Sequence, residues 1–205
     1  ENKAVDLDRV GDFLKLSLAA NHHANAGPVS KLLESAMSHF LNLPIDRTVV
    51  ACSSGTSGIQ LAAALEAYRM GKRSLRWVST AYGFFSTNIG PLADVRLLDT
   101  DPNGRLSVSA LRSLPPNSWD GLIHVNLFGQ QSDWDALRDY CKSQGKHFIV
   151  DNAVGLLDRA AGSQDNGDIE VISCHHTKPW GVGEGGLMIV NRDDESDIRN
   201  LMDFG

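Results

Sequence analysis

The chain has 205 residues, enough for one domain with a substantial core. Apolar residues make up 42% and charged residues 21%, the balance of an ordinary globular protein. The net charge of −6 lacks the basic footprint of a nucleic-acid binder, and no apolar run is long enough to span a bilayer, so neither nucleic acid nor a membrane is expected as a partner.

Residues 5–18 (VDLDRVGDFLKLSL) have the apolar spacing of a helix. His22 and His23 follow in a loop; without a spaced third ligand they read as a solvated pair. Residues 29–41 form an amphipathic helix with Leu32, Leu33, Met37 and Phe40 on one face. Residues 48–52 (TVVAC) are a short β-branched strand, and SSGTSG at 53–58 follows directly, with a helix over 59–70. A strand, a Gly-Ser-Thr turn and a helix make an anion cradle: helix-terminal amides point at the anion and hydroxyls add donors. The turn is neither a Walker loop nor GxGxxG. Ser and Thr are also ordinary N-caps, so the turn by itself fits both readings.

Residues 75–79 form the next strand. YGFFST at 82–87 sets three aromatics in a turn, either as core packing or as cover for a planar ligand ring. Strands over 95–99 and 121–126 flank a turn at 100–104 and a helix at 107–114. LFGQQ at 127–131 leads to a helix over 133–143 and a strand over 147–150 that ends in Asp151-Asn152. A carboxylate at the C-terminal end of such a strand sits where α/β folds bind ligands, though Asp151 fits equally as the N-cap of a helix over 153–157. Residues 171–174 form a buried strand, followed by a polar turn holding Lys178 and a loop with Gly181, Gly183, Gly185 and Gly186. A second apolar run at 187–190 and a helix over 193–204 close the chain. The alternation predicts an α/β domain with a mainly parallel sheet. Cys52, Cys141 and Cys174 are widely spaced and fit neither a disulfide framework nor a metal site; Cys52 and Cys174 lie in or beside apolar runs and read as buried thiols, with a reducing cytoplasm as the default.

An anion cradle, a strand-end acid and a lysine in a Gly-rich turn have a common explanation in pyridoxal phosphate. Its phosphate needs amides and hydroxyls, its pyridine nitrogen a carboxylate, and its aldehyde a lysine for a Schiff base. An aromatic such as Phe84 would cover the ring.

The chain resembles the DegT/DnrJ/EryC1/StrS family of fold-type-I sugar aminotransferases over nearly its whole length. The resemblance rests on Ser173-Cys174-His175-His176-Thr177-Lys178 with Gly183-Glu184-Gly185-Gly186, on Ser54-Gly55-Thr56-Ser57, and on Asp151. It implies a three-layer α/β/α fold with a mixed, mainly parallel sheet, like the large domain of aspartate aminotransferase. It implies Lys178 and Asp151 as catalytic residues, and Gly55, Thr56, Ser57, Phe84, Asp151, Ser173 and Lys178 as cofactor ligands, with no metal. Tyr82 is the alternative to Phe84 as ring cover. NLFGQ at 126–130 resembles a family strand end with Asn126 in place of the usual histidine, and the loop from Asn25 to Pro28 resembles the one ahead of the family's first large-domain helix.

Family members move an amino group, usually from glutamate, to a keto sugar on a nucleotide, and work as homodimers. The resemblance carries these expectations to this chain. It also implies a second, smaller C-terminal domain, which would begin where this chain stops, so residues 1–205 correspond to the large domain alone. Val154 stands where the family usually has Gln or His, and Trp180 after the lysine is expected to reshape the substrate mouth. These departures give two alternatives: a cofactor-binding fragment without catalytic competence, or a sugar lyase or dehydratase. The dehydratases carry histidine in place of the lysine, so Lys178 speaks against that subtype.

Overall fold

Val49 and Val50 are neighbours in sequence and both fully buried, yet they belong to different cores. Successive strand side chains leave opposite faces of a sheet, so a strand buried on both faces must have helices above and below it. The computed structural model describes residues 3–24, 26–129, 134–157 and 169–204 and contains such a sheet. The sequence expectations at Asn25, Gln130, Gln131, Asp133 and Gly205 lie outside the described residues.

The strands are β1 Arg47–Cys52, β2 Trp77–Thr80, β3 Arg96–Leu98, β4 Gly121–Val125, β5 His147–Asp151, β6 Ile169–Ser173 and β7 Gly186–Asn191. Their order is β1-β7-β6-β5-β4-β2-β3. β7 runs antiparallel to both β1 and β6, and the other neighbours are parallel. The described α-helices are α1 Leu7–Ala20, α2 Pro28–Phe40, α3 Gly55–Arg69, α4 Val108–Arg112, α5 Asp135–Ser143 and α6 Glu195–Phe204.

On one face, Val50, Ile149, Val171 and Met188 pack against Ile59, Ala62 and Leu65 of α3 and Ile198 of α6. On the other, Leu122, Phe148 and Val150 pack against Leu111 of α4 and Leu137 and Cys141 of α5. Further along that face, Val49, Ile172, Leu187 and Ile189 meet Leu41, Leu156 and Met37 of α2. This is the three-layer α/β/α arrangement with a mixed, mainly parallel sheet.

Helix α2 departs from the expected burial. Leu32, Leu33 and Phe40 are 45%, 44% and 52% exposed, while Glu34 is buried. The cause is the sheet edge. β1 is an edge strand, and its outward amides have no ladder partner. Ser38 Oγ accepts from Val49 N at 3.2 Å and Glu34 Oε1 from Ala51 N at 2.9 Å. Arg199 of α6 then holds Glu34 at 2.8 Å. Polar contacts therefore orient α2 and leave its leucines half outside. His22 and His23 are exposed as expected, and among the described residues no cluster of three or more His, Cys, Asp or Glu is placed to hold a metal ion. No helix in the described residues is long and apolar enough to cross a membrane.

The strand directions bring the C-terminal ends of β1, β2, β4, β5 and β6 to one edge of the sheet. Cys52, Thr80, Val125, Asp151 and Ser173 mark that edge. Helix α3 starts there and lies close on the sheet: a Cβ on Gly186 would fall 2.5 Å from Ser54 O and 2.8 Å from Cys52 Sγ. Gly186→Ala must push β7 and the start of α3 apart. We expect it to lower unfolding stability by roughly 1–3 kcal/mol in urea titrations. An unchanged midpoint would contradict this packing.

Candidate active site

The edge opens into a cavity of about 710 Å³, within the range of small-ligand pockets. Helix α3 contributes Ser54, Gly55 and Thr56 at its start. The turn after β2 supplies Tyr82, Phe84 and Phe85; the ends of β4, β5 and β6 supply Asn126, Asp151 and Ser173. His175, Thr177, Lys178 and Glu184 come from the turn after β6.

The cradle follows from how α3 is capped. Ser54 Oγ accepts from Ser57 N at 3.0 Å, and Ser57 Oγ accepts from Ser54 N at 2.9 Å. This reciprocal box satisfies the third amide of the helix. Gly58 N closes onto Ser54 O at 3.1 Å. The amides of Gly55 and Thr56 keep no partner among the described residues, as the first turn of a helix requires. Gly55 has no side chain because Ser173 fills that space: a Cβ there would lie 3.0 Å from Ser173 Cβ. Ser173 Oγ accepts from His175 N at 3.2 Å, so its own hydrogen is free to donate into the cavity. Two free amides and a serine hydroxyl thus border one point, with the positive end of the helix dipole behind them.

Asp151 is buried, and one of its oxygens accepts from Ala153 N at 3.2 Å. Burial pushes its carboxyl up from 3.8 to about 6, against weaker lowering by the Ala153 amide and the Lys178 charge. Lys178 is the cation that acts on it, and its pull is weaker than the effect of burial. Lys178 is half-buried, and its ammonium has no hydrogen-bond partner among the described residues. Thr177 N donates to His175 Nδ1 at 3.2 Å, so a neutral His175 carries its hydrogen on Nε2, 3.6 Å from Glu184 Oε2.

Asn126 is buried and anchored from behind. Its Nδ2 donates to Asn152 Oδ1 at 2.7 Å, and Asn152 Nδ2 donates to Glu170 Oε1 at 2.5 Å. Around the mouth, Tyr82, Phe84, Phe85 and Phe128 are 54%, 62%, 55% and 72% exposed. Phe84 and Phe85 stand 4.3 Å apart, and Tyr82 meets Phe128 edge-on at 6.2 Å.

The structure brings Gly55, Thr56, Phe84, Asp151, Ser173 and Lys178 to one cavity, with Tyr82 and Val154 on its wall. It does not bring Ser57 there: that hydroxyl is engaged in the capping box, and Ser54 lines the cavity in its stead. Trp180, expected at the substrate mouth, packs instead on the core of Val49, Ile172 and Leu187. Its Nε1 donates to Ser173 O at 2.7 Å, bracing the end of β6 from behind. Sequence reasoning passed over the His175–Glu184 pair and the Asn126 chain. The Ser54-x-x-Ser57 spacing is close to a capping-box pattern, but it does not tell which serine lines the cavity.

The profile of the DegT/DnrJ/EryC1/StrS aminotransferase family matches residues 11–205. The chain belongs to that family. GDP-perosamine synthase of Caulobacter vibrioides is 28% identical over 152 residues, which cover 71% of this chain and 40% of that protein. dTDP-4-amino-4,6-dideoxy-D-glucose transaminase of Shigella dysenteriae is 24% identical over 201 residues, covering 94% of this chain and 52% of that one. The crystal structure of DesI with its TDP-sugar product superposes with a TM-score of 0.81 at 26% identity, over 98% of this chain and 51% of that one. The chain thus spans about half the length, or less, of these relatives. Its fold is that of the pyridoxal-phosphate-dependent aminotransferases, and pyridoxal phosphate is the cofactor that family and fold imply.

The buried acid makes the cofactor-free protein sensitive to pH. A carboxyl whose pKa folding raises contributes fully below 3.8 and loses that contribution as pH climbs through about 6. Between about pH 4 and about pH 8 the cofactor-free protein should lose roughly 1–3 kcal/mol on this account. Asp151→Asn should flatten that part of the profile. Urea unfolding across the pH range measures it, and parallel profiles for the two proteins would contradict the raising of this acid by burial.

Proposed function

We propose that residues 1–205 are the cofactor-binding large domain of an aminotransferase that moves an amino group from an amino acid, glutamate by preference, to a keto sugar on a nucleotide. The observation that carries this reading is the convergence of Lys178, Asp151 and the α3 cradle on one cavity. The fit rests on two features: free helix-terminal amides beside the Ser173 hydroxyl, and a buried carboxyl that burial raises despite the Lys178 charge.

Pyridoxal phosphate, when bound, supplies an aldehyde that condenses with a lysine and a ring that takes up electrons. The amides of Gly55 and Thr56 and the hydroxyls of Ser173 and Thr56 would hold its phosphate. Ser57 contributes through the cap that aims those amides. Asp151 would stand against the ring nitrogen and favour a proton there, which would offset part of the cost of burying the carboxylate. Phe84 covers one ring face. Val154 offers an apolar wall, so it gives no hydrogen bond to the ring. Lys178 is the covalent anchor. Its amine, when free, would be the general base and acid that moves a proton during the transfer.

The names of the two curated relatives, a perosamine synthase and an aminosugar transaminase, support a nucleotide-bound sugar as acceptor. The same reading makes the protein a cytoplasmic homodimer. Three cysteines outside any disulfide suit the first, and an exposed aromatic rim at the cavity mouth suits the second.

Purified protein titrated with pyridoxal phosphate should develop a visible absorbance band that Lys178→Ala abolishes. Amine formation from a nucleotide keto sugar and glutamate should fall by about 10³-fold or more in that variant. A band that survives Lys178→Ala would sink the assignment. A Lys178-dependent band without amine product would favour a binding domain that is catalytically incompetent alone.

A further inference from the structure

The turn that carries Lys178 is closed by a cation from the other end of the chain. Lys178 N donates to His175 O at 2.8 Å, and Gly181 N donates to Lys178 O at 3.0 Å, so the backbone makes two consecutive tight turns. This folding aims the carbonyls of His176, Lys178 and Gly181 at one spot. The Lys3 ammonium sits there, donating to His176 O at 2.6 Å, to Gly181 O at 2.7 Å, and also to Lys178 O.

Carbonyl dipoles pointed at a common centre repel one another unless a cation lies between them. An ammonium has three hydrogens, one for each of these oxygens. The turn has little freedom to relax by itself. A Cβ on Gly181 would lie 2.1 Å from His175 O and 2.4 Å from Cys174 O, so the backbone is already folded hard against itself. Lys3 has no carboxylate partner among the described residues; its charge acts on these carbonyls. The two lysines are 175 positions apart, so the contact is tertiary.

We propose that Lys3 is a positioning residue, a tethered monovalent cation that fixes the backbone of the 176–181 turn and so aims Lys178 into the cavity. The proposal rests on the reading of Lys178 as the cofactor lysine. It has a chemical corollary: with the side chain removed, the nest of carbonyls is a site for a free ammonium ion, which offers the same donors.

The test compares the wild type with Lys3→Ala, which opens the nest, and Lys3→Met, which keeps the aliphatic stem and removes the charge. Hydrogen exchange at the amides of Lys178 and Gly181 is read in the cofactor-free protein, and pyridoxal phosphate binding by its absorbance band. Both variants should exchange those amides about tenfold faster and need about tenfold more cofactor for half-saturation. Ammonium chloride should restore Lys3→Ala but not Lys3→Met, and sodium chloride at equal ionic strength should restore neither. Unchanged exchange and binding in both variants would overturn the proposal, as would loss in Lys3→Ala with no loss in Lys3→Met. If the wild type shows no band while exchange still quickens in both variants, the clamp on the turn stands and the cofactor reading falls.

Discussion

The approach of Gly55 to Ser173 is the contact on which the site depends. Helix α3 reaches the end of β6 only because residue 55 has no side chain; a Cβ there would lie 3.0 Å from Ser173 Cβ. Gly58 and Gly186 permit the same closeness a turn later and across the sheet. The gain is a helix terminus whose first amides open onto a cavity beside a serine hydroxyl. Ser54 and Ser57 complete the arrangement by capping each other, which satisfies the third amide and leaves the first two free. Trp180 holds the opposite side of Ser173 by bonding its carbonyl.

The charges in the cavity follow from the same placement. The positive end of α3 lies at one wall, the buried Asp151 at another, and the Lys178 amine between strands and loop. A ligand anionic at one end and able to carry a proton on a ring nitrogen at the other is complementary to all of them. Burial pushes the Asp151 carboxyl up to about 6, and a cation on the ligand would offset part of the cost of keeping it charged. Lys178 itself stands on a backbone whose convergent carbonyls are neutralised by Lys3.

Most of the architecture was legible in the sequence, because buried strands and helices leave a periodic apolar record. The runs TVVAC and HFIV fall within β1 and β5, and Asp151 ends β5 at the ligand edge. The acid was readable as chemistry because a carboxylate ends an apolar strand, the lysine because it stands in a Gly-rich connection between two apolar runs, and the glycine turn because it joins a strand to a helix. What failed depended on contacts that spacing does not encode. Ser54 and Ser57 are alike in sequence and cap each other, yet Ser54 lines the cavity and Ser57, bonded also to Ser53, does not. Trp180 looked like a mouth residue until its indole found the Ser173 carbonyl. The leucines of α2 looked buried, but the amides of an edge strand drew Glu34 inward in their place. Lys3 was silent because its partners lie 173 to 178 positions away.

The central claim is that pyridoxal phosphate binds this cavity through Lys178. Borohydride reduction of the cofactor-loaded protein, followed by digestion and mass spectrometry, tests it most directly by fixing the cofactor to whichever amine holds it. The account predicts a single pyridoxyl label, on the peptide containing Lys178. A label spread over surface lysines, or concentrated on another lysine, would contradict it.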